Sequence, residues 1–245
     1  MLGVPKHTLL YWEKEGLIHF RRNPLNGYRL VTPSSIFEID QVVHYRHMGV
    51  PIAQIQQIPR MTLEELRDMF AVSNQRLDEK IRILQVAQAK ARTYVSYIDE
   101  IRTLTDHPYH DAAPNFSRVG AYRASDHWSV SNAQPDLFTL VIHPEEPDTV
   151  LEGFADDNHP EPLWERAGGE EHWKVFVLKM ELENGARKNS DLVSHLQRLN
   201  LLGYRCDLIL ARYMAEAAKN DKYYIYYKAW ARVSREEASE SGSHR

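Results

Sequence analysis

MTLEELRDMFAVSNQRLDEKIRILQVAQAKARTYVSYIDEIRTLTDHP, residues 61–108, decides how the rest of the chain is read. Thr62 and Glu65 have the spacing of a capping box, and Met61 and Leu66 flank it as a hydrophobic staple. Neither glycine nor proline occurs again before Pro108. Leu63, Phe70, Leu77, Leu84, Ala91 and Ile98 fall seven apart and are all apolar, while the row Leu66, Ser73, Lys80, Ala87, Tyr94, Ile101 is weaker. One helix of this length reaches roughly 65 Å at 1.5 Å per residue. Such a rod is too long to bury its stripe against a small head, so the pattern predicts pairing with a second copy. A bundle helix within one chain is the alternative, but no other segment offers a helix of comparable length.

Upstream of the rod lies a compact, mildly basic segment. Residues 1–60 hold seven Lys/Arg against four acids, residues 61–104 hold seven of each, and the whole chain of 245 residues carries a net charge of −4. A basic head on an acidic body is what nucleic-acid contact at one end requires, although an excess of this size also arises by chance. Pro5 suits a first helical turn, Leu9, Leu10, Trp12 and Leu17 supply its apolar positions, and Gly16 stops it. FRRNPLNGYRLV then gives two short extended runs around Asn26-Gly27, a hairpin signal. Thr32-Pro33 caps a helix carrying Ile36, Ile39, Val42, Val43 and Tyr45, which Gly49 ends. Pro51 opens a short element with Ile52, Ile55 and Ile58, closed by Pro59.

The ordered set GV-x-K-x-TL-x-Y, EGLI, RR, NGYR and YRHMGVPIAQI, followed by the rod, resembles the MerR family of transcriptional regulators. The resemblance implies a winged helix-turn-helix over 1–60 and an antiparallel coiled-coil dimerisation helix over 61–105. It makes the helix that Pro5 opens and Gly16 stops the recognition helix, and the NGYR hairpin the wing. His7 and Thr8 are then expected to approach base edges and the Tyr11 hydroxyl a phosphate. Arg21, Arg22, Tyr28 and Arg29 would set the wing on the backbone, and Arg46 would hold a phosphate; most such contacts fix position rather than sequence. Tyr28 reads equally as a core aromatic. Leu10 stands where the family usually has arginine. Family members carry a further helix before this point, so either the true start lies upstream or the chain is a shortened variant with impaired DNA binding. An exposed core face costs about 25 cal/mol per Å² and favours the first.

After a polar hinge at 106–115, residues 116–233 read as α+β. Strand-like runs cover 116–122, 137–143, 173–182, 205–213 and 223–233, and DLVSHLQRLNLLGY is a helix ended by Gly203. The order helix, LGY, strand and YYIYYKAWARV over 190–233 resembles the GyrI-like effector-binding domains of multidrug-sensing regulators. Over 112–183 strands are visible but no helix, so the internal duplication usual there is half visible. In the last strand Tyr224, Tyr226, Lys228, Trp230 and Arg232 share one face; Tyr223, Ile225, Tyr227, Ala229 and Val233 share the other. The resemblance points to Tyr224, Tyr226, Lys228 and Trp230 as ligand-binding. It puts glutamate at the place of Lys228, so a cationic ligand is disfavoured and an anionic or neutral aromatic one favoured. Equally, Lys228 and Arg232 lie on a solvent face while the small residues pack inward. Residues 234–245 are polar and read as a disordered tail.

Together these readings give an α+β multidomain chain acting as a ligand-responsive regulator. Its expected partners are double-stranded promoter DNA, a second copy, RNA polymerase at the promoter and a small organic effector. The resemblance implies activation by distorting an over-long promoter spacer. The single cysteine, Cys206, allows no intramolecular disulfide framework and no thiolate metal cluster. The family's metal sensors use cysteines near the end of the dimer helix, which this chain lacks. His107, His110 and Asp111 are close in sequence, but a hinge is the plainer reading, and no cofactor is expected. Neither a membrane span nor a secretory leader is visible, so the expected location is the cytoplasm. A dimerisation and ligand-binding module without DNA competence is the first alternative. A small-molecule hydrolase is the second, although Tyr213, Glu216 and the histidines show no nucleophile–base spacing, so an enzyme is not expected.

Overall fold

In a computed structural model, which describes residues 3–121, 137–147 and 149–235, the chain divides into two compact units, Met1–Ala89 and Lys90–Arg245. The first opens with α1 (Lys6–Lys14), followed by a hairpin of β1 (Arg21–Arg22) and β2 (Arg29–Leu30). Next come α2 (Pro33–His47), α3 (Ile52–Ile55) and a 3₁₀ turn at Ile58–Arg60. Trp12, Ile18, Ile39, Val42, Val50 and Ile55 form its core, joined by Met69 from the following helix α4 (Leu63–Asp106). Thr32 caps α2 by accepting from the Ser35 N–H, with Ser35 returning the bond to the Thr32 N–H. The hairpin signal is right but its loop is not the two-residue turn of an Asn-Gly pair. Asn23–Tyr28 form a wider loop, closed by the Asn23 N–H donating to the Tyr28 carbonyl at 2.8 Å.

α4 has the expected cap, Thr62 and Glu65 exchanging bonds, and runs 44 residues. Its stripe divides in three. Leu66, Met69 and Phe70 pack into the first unit's core, and Ile101 and Leu104 into a core of the second. The two ends of the helix are therefore covered within one chain, while its middle is not. Between them Ile81, Leu84, Val95 and Ile98 stay 44–67% exposed. These residues also correct the companion row. Ile81 and Val95 sit four residues after Leu77 and Ala91, and supply apolar side chains where the row through Lys80 is weak, although Gln88 interrupts their own row.

The second unit is built on a nine-stranded antiparallel sheet, counted among the described residues. Its strands are β3 (His110–Asp111), β4 (Arg118–Ala121), β5 (Phe138–Ile142), β6 (Val150–Ala155), β7 (Pro162–Glu165), β8 (His172–Glu183), β9 (Ala186–Ser190), β10 (Tyr204–Lys219) and β11 (Lys222–Arg235). The order is β3-β8-β11-β10-β5-β6-β4-β7, with β9 paired to β8. Helix α5 (Leu192–Leu201) covers one face, where Phe176, Leu178, Ile209, Ala211, Tyr227, Ala229 and Ala231 are buried with Leu192 and Leu199. The opposite face buries Trp173, Val175, Leu208, Leu210 and Trp230 under Leu104, Phe116 and Trp164. Alternation along β8, β11 and the stretch 208–213 of β10 fills both layers, which is why these strands read as nearly continuous apolar runs. Tight turns at Asn184-Gly185 and Asn220-Asp221 close β8–β9 and β10–β11, all four residues at positive φ.

Three expectations change. The polar hinge contains an edge strand, since His110 and Asp111 pair with Val175 and Lys174. Ser234 and Arg235, expected in the tail, end β11; residues 236–245 lie outside the described residues, as does Tyr122 at the end of the first predicted strand. Strands β6, β7 and β9 were not expected at all.

Candidate nucleic-acid interface and effector cleft

α1 turns Trp12 inward and leaves His7 and Tyr11, one turn apart, outward, with Tyr11 48% exposed and Thr8 half-buried beside them. Tyr28 is 73% exposed, so its sequence alternatives resolve against a core role. Arg21, Arg22 and Arg29 lie on the exposed hairpin. Arg22 and Arg29 face each other in register, and both are held by Glu13 from the last turn of α1. Arg46 is exposed on α2 and donates to the Val50 carbonyl at 2.9 Å, which fixes its stem at the C-terminus of that helix. The expected contact residues of α1 and the hairpin thus share one unit, tied together by a carboxylate that the sequence reading passed over.

In the second unit two of the expected ligand residues are engaged within the protein. Trp230 is 1% exposed and packs edge-on against Phe116 at 5.5 Å, with the Arg212 guanidinium over its ring. Lys228 is paired with Glu100 of α4 and lies 5.2 Å over the Trp230 ring. Tyr224 and Tyr226 are half-buried, 6.4 Å apart.

A cleft of about 640 Å³ opens instead on the other face, lined by Phe138, Glu152, Leu182, Arg187, Tyr213, Glu216, Ile225 and Tyr227. That volume is within the ordinary range for small-molecule sites. Glu216 accepts from the Tyr213 hydroxyl at 3.3 Å and from the Tyr223 hydroxyl, and no ion pair occupies it among the described residues. Burial, then Glu216, pushes the Tyr213 phenol up; the bond to Glu216 does the same for Tyr223. Both therefore stay protonated donors. Arg187 and Glu152 pair at 2.7 Å across the mouth. Tyr227 is fully buried and its hydroxyl has no hydrogen-bond partner. Burial raises its pKa; Arg187 is near enough to oppose that but makes no well-formed bond to it. Strict alternation separates Tyr213 from Glu216, and a register shift between Tyr213 and Ala215 brings them to one face. No periodicity in the sequence announces that bulge.

The remaining chemistry-bearing residues are engaged elsewhere. Asp111 pairs with Lys174 at 2.9 Å, while His110 bonds the His107 carbonyl, so this group does not converge. Burial pushes the Cys206 thiol up to about 12, far from a thiolate at neutral pH. No helix among the described residues is long and apolar enough to cross a membrane.

Among curated proteins none matches the chain. Residues 1–31, which span α1 and the β1–β2 hairpin, match the family model described as MerR family regulatory protein, and this supports a transcriptional regulator of the MerR type in general.

Proposed function

We propose that the chain is a homodimeric, ligand-responsive DNA-binding transcriptional regulator. The observation that carries this reading is the coincidence of the matched segment with an exposed face. The 31 residues matched by the MerR family model include His7, Thr8 and Tyr11 on α1 and the exposed arginines of the hairpin, which supports this reading. α1 enters the major groove, the hairpin is a wing on the sugar-phosphate backbone, and Arg46 adds a phosphate contact. Two copies pair through Leu77, Ile81, Leu84, Ala91, Val95 and Ile98; all but the half-buried Leu77 are exposed and leave apolar surface for a second helix. Activation proceeds with RNA polymerase at a promoter whose bending and untwisting cost several kcal/mol, of order 1–6 by elastic estimates. Effector contributes only its differential affinity for the activating conformation. Selection from a random-sequence duplex library tests the reading: enrichment of a two-fold symmetric site is expected, and no enrichment overturns it.

The effector seat in this proposal is the Glu216 cleft. Lys228 already has an anion in Glu100, so it offers an incoming anion little. The cleft combines aromatic walls, a carboxyl that makes no ion pair among the described residues and the buried Tyr227 hydroxyl, which suits an aromatic molecule bearing an amine or hydroxyl group. Raised melting temperature with such a compound, lost in Glu216→Gln, supports the seat; equal shifts in both proteins exclude it. The same incubations examined for products test the hydrolase alternative.

A further inference from the structure

Arg22 and Arg29 are cross-strand partners in a hairpin whose strands are two residues long. Like charges directly opposite each other destabilise a strand pair, and so short a hairpin has little else to hold it. Glu13 lies between them. Its Oε1 accepts from Arg22 Nη2 at 2.7 Å, and its Oε2 from Arg29 Nε at 2.7 Å and Nη2 at 2.6 Å. The Glu13 side chain is 18% exposed, against 49% and 40% for the arginines. One carboxylate therefore anchors both strands to the last turn of α1 and reduces two cations to a net charge of one. Charge-assisted bonds in a fork of this kind fix orientation as well as contributing energy.

We propose that Glu13 is a positioning and specificity-determining residue of the DNA interface: it fixes the wing against the recognition helix and holds back one wing charge from indiscriminate phosphate binding. The proposal rests on the DNA-binding reading above. An arginine freed from its carboxylate gains affinity for any duplex, because phosphate neutralisation is independent of sequence. A wing released from α1 loses the register that lets α1 read base edges. The two effects together lower discrimination.

The test measures fluorescence anisotropy against salt for two probes: a duplex selected from a random library by the wild-type chain, and the unselected pool. In Glu13→Gln the pool is expected to bind several-fold tighter, with a log–log salt slope steeper by about 0.9. The ratio of selected to pool affinity is expected to fall about ten-fold. The double variant Glu13→Gln with Arg22→Gln restores the net charge and is expected to regain the wild-type slope without regaining the ratio. A slope and ratio both unchanged in Glu13→Gln overturn the proposal, as does equal tightening on both probes. If Glu13→Gln loses its helical circular dichroism, Arg22→Gln alone decides: a slope shallower by about 0.9 supports the clamp and an unchanged slope overturns it. A wild-type chain that binds neither probe overturns the DNA-binding reading itself, and the proposal with it.

Discussion

Removing the hydroxyl of Tyr227 should make the second unit more stable. The ring is fully buried among Leu140, Phe176, Ile209 and Ala229, and its oxygen has no hydrogen-bond partner. Such a group carries its desolvation cost, about 1–3 kcal/mol, with no bond to offset it. Tyr227→Phe keeps the ring and its edge-on contact with Tyr213 at 6.4 Å, and deletes only the stranded oxygen. A small void left in the floor of the cleft offsets part of the gain, so we expect a net of about 1 kcal/mol. For a unit of this size that raises the melting temperature by about 2–4 °C. Trp164, Trp173 and Trp230 lie in the adjacent layer, so their fluorescence during heating follows this unit. Loss of 1 kcal/mol or more in Tyr227→Phe would show that the hydroxyl has a partner, and the description of the cleft floor would be wrong. Natural proteins keep a costly polar group of this kind where a ligand completes it, so the same variant should bind effector more weakly while being the more stable protein.

Gly153→Ala should destabilise the sheet by roughly 2 kcal/mol or more, read by urea unfolding, because a Cβ there meets the Gly120 carbonyl and the Val119 side chain. Asp191 gives a pH dependence. Burial raises its pKa, but bonds from His195 and the Lys179 N–H outweigh burial and hold it below the usual carboxylate range. A carboxyl depressed in the folded state adds stability above its unfolded pKa, near 4, and loses it as pH falls through the folded value. Asp191→Asn should therefore flatten the stability profile below about pH 4 relative to wild type, and parallel profiles would refute this assignment. Leu84→Lys should raise the dimer dissociation constant about 100-fold or more, since each copy withdraws a leucine whose burial is worth about 1.5–3 kcal/mol. Sedimentation equilibrium at several concentrations measures it, and an unchanged constant would move the interface away from this stripe.

Local signals were the legible ones. Thr32-Pro33, Thr62 with Glu65, Gly16, Gly49 and Gly203 mark helix ends through short-range bonds and positive φ, and the structure has each where expected. The long strands were visible because both their faces are buried, so apolar residues run on without interruption. Strands β6, β7 and β9 were hidden. They are short, β9 is almost wholly polar, and Gly153 weakens the pattern of β6, so only partners distant in sequence define them. The cleft was hidden for the same reason. It depends on a bulge after Tyr213 and on residues from six strands. Trp230 shows the converse: alternation assigned its face correctly, but composition could not say that Phe116 and Leu104 cover that face.

The central claim is that one duplex carries two chains. Sedimentation velocity of a fluorescent, selected duplex titrated with the wild-type chain at low salt reads the stoichiometry and its salt dependence together. The account predicts two chains per duplex, released together as salt rises. A single chain per duplex, or no association at the lowest salt, contradicts it.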